Sequence, residues 1–185
     1  VLLVHGLAEH TGRYHRLAAH FNSAGIAVVG PDHIGHGASP GVRAHVRRFS
    51  DYLEPLTALR ERIKEWYPDK PVFLLGHSMG GLIGAHALLV SQKSSHGAMF
   101  SGPAFTAVDP VSVPVMWIGR LLRYVFPKMG MLALNATEVS RDPAVVADYI
   151  ADPLVYNGKI TASLGLEILD AMEVAISRAG EITLP

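Results

Sequence analysis

Ser78 lies in the stretch LLGHSMGG, residues 74–81, with one glycine two places before it and another two places after it. An apolar run precedes the stretch and helix-forming residues follow it, so we expect a sharp turn from a strand into a helix. Side chains at Gly76 or Gly80 would collide in such a strained turn, so these glycines and the adjacent Gly81 are interpreted as structural. The pattern favours Ser78 as a nucleophile. The alternative is a serine that only caps the following helix.

Two backbone amides are candidates for binding the oxyanion that forms when a serine attacks a carbonyl carbon. The first belongs to Met79, at the amino end of the predicted helix, where N–H groups point outward. The second belongs to Leu7. The stretch VHGLAEH places His5 and Gly6 at the end of a predicted strand, and the loop after such a strand supplies the second donor in hydrolases of this design.

Short apolar runs alternate with helical patterns through the first hundred residues. The strands are uniformly apolar, which is typical of a parallel sheet covered by helices on both faces, and this predicts the α/β class. The predicted strands are 1–4, 26–30, 71–75 and 97–101, and the predicted helices are 13–24, 51–67, 79–92 and 160–177.

The alternation stops after Pro103. Residues 104–160 contain clustered apolar positions and several prolines but no clear strand, so we predict a helical insertion. It would separate the first part of the core, 1–103, from a helix that returns to the core in 161–185. The chain opens on an apolar run and ends where another strand is expected, so we expect it to be truncated at both ends.

The stretch 111–132 is strongly apolar, and its only charged residues are Arg120, Arg123 and Lys128. In one interpretation it is a cap helix packed on the core. In the other, part of its apolar face also enters a membrane interface, because tryptophan and basic residues beside an apolar face suit that position.

The motifs HGLAEHTGRY, PDHIGHGAS, FLLGHSMGG and SRDPAVVADYIADPL together resemble the monoacylglycerol lipase and lysophospholipase group of α/β-hydrolases, which is of the serine aminopeptidase S33 type. The resemblance runs from residue 1 to about residue 177. It implies an α/β-hydrolase fold with a helical cap. It also implies a serine ester hydrolase, without a cofactor, that cleaves single-chain lipid esters through an acyl-enzyme intermediate.

The same resemblance implies that Arg13, and with it Tyr149 and Glu9, hold the polar head of the substrate. For Arg13 the alternative is a surface ion pair with Glu9, which lies four residues earlier in the chain.

The residues that would activate Ser78 are not evident. In α/β-hydrolases the order along the chain is serine, then an acid, then histidine, and only His86 and His96 follow Ser78. The expected fold places both away from the serine hydroxyl. Asp109, after the fourth predicted strand, is a candidate for a displaced acid. We therefore expect the acid and the base to lie outside residues 1–185, and this chain alone to be inactive.

Composition narrows the possible partners. Lysine plus arginine and aspartate plus glutamate number 16 each, which gives no indication of a nucleic-acid partner. The chain has no cysteine, and its histidines are not spaced as metal ligands, so we predict no metal site. With no signal peptide or spanning segment, we expect a cytoplasmic protein, with peripheral membrane contact through 111–132.

Two other functions stay open at this point. The first is a serine esterase or aminopeptidase that acts on substrates other than lipids, because the same core can serve both. The second is a non-catalytic binding protein built on a hydrolase fold.

Overall fold

The computed structural model describes residues 1–93, 95–107 and 113–185, the last without the side chain of residue 113. Its centre is a parallel sheet of three strands in the order β1-β2-β3. In the register, Leu3 of β1 is opposite Leu75 of β2, which is opposite Met99 of β3. The strands are β1 (Leu2–Val4), β2 (Phe73–His77) and β3 (Gly97–Ser101).

The helices follow the predicted order, but two of them begin with a tighter turn. Short 3-10 turns at Thr11–Tyr14 and Phe49–Tyr52 precede α1 and α2. Pro55 lies in the first turn of α2, where its missing N–H leaves no bond unmade. The helices are α1 (His15–Ser23), α2 (Leu53–Trp66), α3 (Met79–Val90), α4 (Val113–Val125), α5 (Pro143–Ala151) and α6 (Ala162–Ser177).

The prediction of a full strand at 26–30 is wrong. Only one bridge, between Val29 and Leu2, joins this segment to the sheet. The amide of Leu3 donates to the carbonyl of Val29 at 2.7 Å, and the amide of Val29 donates to Val1 at 2.9 Å. Because Pro31 follows at once and has no N–H, the pairing with β1 does not extend further.

The expectation of no strand within 104–160 is also wrong. Two short strands, β4 (Gly130–Ala133) and β5 (Lys159–Thr161), pair antiparallel, with an irregularity between Gly130 and Leu132. All four residues of β4 are exposed, so no inward-outward alternation marks this strand in the sequence. The candidate acid Asp109 lies outside the described residues.

The main core lies between the sheet and the helices α2, α3 and α6. The central helix α3 contacts β1, β2, α2 and α6, and most of its residues are buried. Gly84 lets α3 approach β2, because a Cβ there would lie 2.6 Å from a methyl carbon of Leu74. This close packing fixes the amino end of α3 above the sheet. The largest fully buried apolar side chains include Leu2, Tyr52, Leu56, Leu74, Leu82, Ile83, Leu88 and Leu164.

Candidate active site

Ser78 occupies a strained turn between β2 and α3. Its backbone angles, φ 51° and ψ −120°, lie in a region that L-residues rarely adopt. The turn is held from both sides: the Ser78 amide donates to the carbonyl of Ser101 at 3.1 Å, and the Gly81 amide donates to the Ser78 carbonyl at 2.9 Å. The predicted strand-turn-helix geometry is therefore present around this serine.

The glycines near Ser78 are required by backbone contacts. A Cβ on Gly80 would lie 2.0 Å from the carbonyl oxygen of Val4, and a Cβ on Gly76 would lie 2.6 Å from the carbonyl oxygen of Gly80. Backbone atoms cannot move away as a flexible side chain would. A Cβ on Gly81 would lie 2.7 Å from the Cβ of Pro103. These distances exclude larger residues without a shift of the turn.

The loop after β1 lies directly beside the serine. A Cβ on Gly6 would lie 3.3 Å from the Cβ of Ser78. The next residues turn sharply, since Ala8 has a φ of 64°. In the described part of the chain, neither the Leu7 amide nor the Met79 amide is paired with a protein acceptor. Both candidate oxyanion donors are thus available on the two chain segments that meet at Ser78.

His5 is fully buried and holds this loop through hydrogen bonds. Its Nε2 accepts a hydrogen bond from the His33 amide at 2.9 Å, so its proton is on Nδ1, which donates to the carbonyl of Gly6 at 2.8 Å. Burial lowers the pKa of His5 to about 4. His5 is thus a neutral structural residue. The neighbouring rings of His33 and His36 complete a buried cluster that the sequence pattern did not reveal.

Ser78 opens into a cavity of about 640 Å³. Five other residues singled out in the sequence also line the cavity: Gly6, Leu7, Glu9, Arg13 and Tyr149. The structure therefore brings together residues that are spread over more than 140 positions of the chain. Further lining residues, not expected from the sequence, are Tyr14, Leu17, His77, Leu134, Val139, Tyr156 and Asn157.

Glu9 has a structural task within this cavity. Its Oε1 accepts hydrogen bonds from the Gly6 amide at 2.6 Å and from the Tyr14 hydroxyl at 2.6 Å. Burial and the Glu9 carboxylate raise the pKa of Tyr14, so the phenol keeps its proton and donates. Sequence spacing did not identify this arrangement, because one partner of Glu9 is a backbone amide and the other is the hydroxyl of Tyr14.

Arg13 combines the two interpretations that the sequence left open. Its Nε lies 3.7 Å from Glu9 Oε2, which is the expected ion pair. Its guanidinium also lies 4.6 Å from the centre of the Tyr149 ring and 4.0 Å from Asp152. Burial and the Glu9 carboxylate raise the pKa of Tyr149, so its phenol stays neutral beside the cation. Arg13 is therefore an anchored cation at the polar end of the cavity.

Two further contacts connect the segment after α5 to the loop after β1. The His10 ring donates from Nε2 to Asp152 at 2.8 Å, and the Tyr156 amide donates to the carbonyl of Ala8 at 2.8 Å. Burial alone would raise the pKa of Asp152, but the hydrogen bond from His10 keeps it below its usual range. The motif SRDPAVVADYIADPL contains this aspartate, yet only the fold reveals its partner.

The histidines nearest in sequence to Ser78 are engaged elsewhere. His86 donates to the carbonyl of Ala171 at 2.9 Å on α6, and His96 accepts from the Val72 amide at 3.0 Å, before β2 begins. His77 donates to the carbonyl of Ser101 at 2.9 Å. Among the residues that the structure describes, no group of three histidine or acidic side chains is arranged to hold a metal ion.

Comparison with known proteins identifies sequences that are similar to this chain. The profile of the Hydrolase_4 family, described as serine aminopeptidase S33, matches residues 1–185. The monoacylglycerol lipase of Mycolicibacterium smegmatis is 40% identical over 186 residues, which is 100% of this chain and 66% of the lipase. Phospholipase YtpA of Bacillus subtilis is 40% identical over 179 residues, covering 95% of this chain and 68% of that protein.

Solved structures are also similar to this chain. The crystal structure of Paleococcus ferrophilus monoacylglycerol lipase superimposes with a TM-score of 0.87 at 33% identity, covering 100% of this chain and 69% of that one. These matches confirm the α/β-hydrolase fold and the resemblance to monoacylglycerol lipases. The chain spans 61% of the rat monoglyceride lipase. Within the described residues, no helix is both long enough and apolar enough to cross a membrane.

Proposed function

The chain belongs to the serine aminopeptidase S33 family of α/β-hydrolases, and on this premise we propose that Ser78 is the nucleophile of a serine ester hydrolase. The observation that carries the proposal is the conformation of Ser78. A serine at φ 51° is costly for an L-residue, and this strain is useful where the hydroxyl must project into a cavity.

In the proposed reaction, Ser78 Oγ attacks the ester carbonyl carbon and transfers its proton to a general base. The carbonyl oxygen becomes an oxyanion that accepts hydrogen bonds from the amides of Leu7 and Met79. Collapse of this intermediate leaves the acyl group on Oγ and releases the alcohol with the proton from the base. Water, deprotonated by the same base, then hydrolyses the acyl-enzyme.

We place the general base and its acid partner outside residues 1–185. His86 and His96 are bonded to backbone groups away from Ser78, at α6 and before β2. The order serine, acid, histidine of this superfamily agrees with that placement. Activity is accordingly proposed for the whole protein and not for this chain alone.

The cavity suits an ester with one apolar chain and one polar head. Leu17, Leu134 and Val139 give it an apolar wall, while Arg13 and Tyr149 form a polar end. We propose a monoacylglycerol or a lysophospholipid as the substrate class. One relative is a monoacylglycerol lipase and another is a phospholipase, which supports lipid esters as substrates. Segment 104–160 would then act as a cap, because part of it lines the cavity that contains Ser78.

The aminopeptidase alternative needs a carboxylate that is free to bind a substrate amine. Glu9 lies in the cavity, but its Oε1 already accepts two hydrogen bonds and its Oε2 faces Arg13. Glu138 is exposed, and its Oε1 accepts from the amide nitrogen of Asn135. The cavity therefore favours a glycerol or phosphate head over a head whose only charge is a protonated amine.

A pair of serine variants in the whole protein tests the proposal. Ser78→Ala should lower ester turnover by about 10⁶-fold, the loss expected when a triad nucleophile is removed. Ser101→Ala is the matched control, because Ser101 lines the same cavity and should be dispensable. Labelling by a fluorophosphonate should vanish only in the first variant. Retention of labelling in Ser78→Ala, or its loss in Ser101→Ala, would show that the nucleophile is a different residue.

Substrate class is tested separately with a monoacylglycerol, a lysophospholipid, a short soluble ester and an aminoacyl anilide. We expect hydrolysis of the esters and none of the anilide. Preferential cleavage of the anilide would overturn the lipid assignment while leaving Ser78 as the nucleophile. A protein that hydrolyses none of the four and is not labelled by the fluorophosphonate would be a binding protein on this fold.

A further inference from the structure

The side chain of His77, one residue before Ser78, has no part in the reaction described above. His77 is the last residue of β2, and its half-buried ring lines the cavity that contains Ser78. The loops after β1 and β3 lie on either side of this ring. The ring is therefore placed to contact a substrate whose ester group is at Ser78.

The hydrogen bond to the Ser101 carbonyl fixes the position of the proton on the His77 ring. Nδ1 of His77 lies 2.9 Å from this oxygen, which can only accept, so Nδ1 carries the proton. In the neutral ring Nε2 then has a lone pair and can only accept a hydrogen bond. Among the residues that the structure describes, none donates to Nε2. His77 thus offers the cavity an acceptor without a protein partner.

The carbon atoms of the ring show where Nε2 lies. Cδ2 is 3.4 Å from the position that a Cβ on Gly6 would take, and Cε1 is 4.0 Å from the corresponding position on Gly102. Since Nε2 is bonded to both of these carbons, it lies between the two loops that carry these glycines, and both glycines line the cavity. The ring centre of Tyr14 is 6.5 Å from that of His77. Nε2 is therefore at the end of the cavity that contains Tyr14 and its neighbour Arg13.

The charged groups at this end of the cavity complement the acceptor on His77. Arg13 has only donors. Glu9 Oε1 accepts from the Gly6 amide and the Tyr14 hydroxyl, and Glu9 Oε2 lies 3.7 Å from Arg13 Nε. A polar head that contacts both Arg13 and His77 must therefore accept one hydrogen bond and donate another. An alcohol hydroxyl does both, whereas an ether oxygen cannot donate.

We propose that His77 is a specificity-determining residue whose Nε2 accepts a hydrogen bond from a free hydroxyl on the alcohol part of the ester. This role rests on the proposed function, because that function places the alcohol part at the polar end of the cavity. Monoacylglycerols and lysophospholipids both carry such a hydroxyl, and fully alkylated heads do not. The substrate requirement is thereby narrowed to a head that donates, and His77 is the residue that imposes it.

Three esters of the same fatty acid test this role in the whole protein: the monoacylglycerol, its dimethyl ether and the propyl ester. The dimethyl ether keeps both head oxygens but cannot donate, and the propyl ester has neither these oxygens nor added bulk. In His77→Asn the side-chain amide keeps a donor for the Ser101 carbonyl, but no atom takes the place of Nε2. The kcat/KM of this variant should fall about tenfold more for the monoacylglycerol than for the other two esters, as expected for one lost hydrogen bond.

His77→Gln is the complementary variant. Its amide oxygen lies at about the reach of Nε2, but it has no donor in the place of Nδ1, so it should keep most of the preference for the monoacylglycerol. The Ser78 amide still donates to the Ser101 carbonyl in both variants, so we expect both to fold and to be labelled by a fluorophosphonate. His20→Asn, at an exposed position on α1, is the matched control and should change none of the three values of kcat/KM.

Two results would overturn this role of His77. Equal losses on all three esters in His77→Asn would show that the ring only supports the turn at Ser78. Loss of the preference in His77→Gln, together with its retention in His77→Asn, would show that the bond to Ser101 is the cause.

Binding of a monoalkyl glycerol ether, which carries the same hydroxyls but has no ester to cleave, separates this role from the proposed reaction. If the wild type cleaves esters but binds the ether no more tightly than His77→Asn does, only the role of His77 fails. If the wild type binds the ether about tenfold more tightly than His77→Asn but cleaves no ester, the role of His77 stands and the proposed reaction fails.

Discussion

The buried histidine cluster beneath the loop after β1 should make folding stability depend on pH between 7.5 and 5. His5, His33 and His36 are all buried, and burial lowers the pKa of each. Burial lowers the pKa of His5 from 6.5 to about 4. In addition, a proton on its Nε2 would face the amide hydrogen of His33. His36 Nε2 is buried without a hydrogen-bond partner among the described residues, so protonation there is also unfavourable.

The sign follows from proton linkage. At pH 7.5, one unit above the ordinary histidine pKa of 6.5, the three rings are almost entirely neutral in both the folded and the unfolded chain, and their contribution to stability is nearly complete. Below pH 6.5 the unfolded chain binds protons that the folded chain does not, so the free energy of unfolding falls. For His5 alone the loss reaches about 3 kcal/mol at pH 4, at about 1.4 kcal/mol per pH unit. His33 and His36 act in the same direction.

Other charges near the histidine cluster change the size of this loss of stability at low pH but do not reverse it. Asp32 lies close enough to favour protonation of both His5 and His36, while Arg43 opposes protonation of His36. Burial alone would raise the pKa of Asp32, but hydrogen bonds from Ala38 and Thr11 keep it below its usual range. Asp32 therefore stays ionised in the window from pH 7.5 to 5, and the histidines dominate there.

The assay is urea unfolding of the whole protein at half-unit steps from pH 7.5 to 5. The slope of the free energy of unfolding against urea concentration should stay constant, which shows that the same transition is measured at each pH. His36→Asn keeps a donor for the Ile34 carbonyl but removes one titrating ring, so its pH slope should be shallower. His20→Asn, at an exposed position on α1, should leave the slope unchanged. A free energy of unfolding that stays constant over this range would refute the neutral buried cluster.

Two further outcomes concern the turn at Ser78 and the contact after α5. Gly80→Ala should lower stability by more than about 3 kcal/mol, measured by thermal unfolding, because its Cβ would meet a backbone carbonyl at 2.0 Å. Gly180→Ala, with no atom within 4 Å, should be tolerated. Asp152→Ala should lower kcat/KM about tenfold, because His10 loses its acceptor and the loop after β1 loses a restraint. Unchanged kcat/KM in that variant would exclude a role in positioning.

Local patterns in the sequence were sufficient for the centre of the fold. The turn at Ser78 could be predicted because its two requirements, an apolar strand before it and glycines at fixed spacing around it, are contained within eight residues. The helix that follows is buried on nearly all sides, and its composition is correspondingly apolar. The turn and the helix depend mainly on residues that are close together in the chain, so a single sequence is enough to predict them.

Elements at the margin of the fold could not be predicted in the same way. Segment 26–30 is as apolar as a buried strand, but only one partner strand meets it, and Pro31 ends the pairing. Strand β4 is short and exposed, and it is defined mainly by its pairing with β5, some thirty residues away. Whether these segments form strands depends on contacts with residues that are distant in sequence. An apolar run alone is therefore compatible with a strand and with an irregular segment.

The contacts of the polar residues in the cavity could be predicted only in part. These contacts also connect the loop after β1 to residues of 104–160. Spacing identified Glu9 and Arg13 as a pair, but the main partner of Glu9 is the Gly6 amide, and Arg13 also contacts Tyr149. The carbonyl of Ala8 accepts from the segment after α5. The loop that presents the candidate oxyanion amide is therefore held partly by residues of 104–160. A displacement of that segment would change the position of this amide relative to Ser78. If the proposed function holds, movement of the cap would therefore alter oxyanion binding.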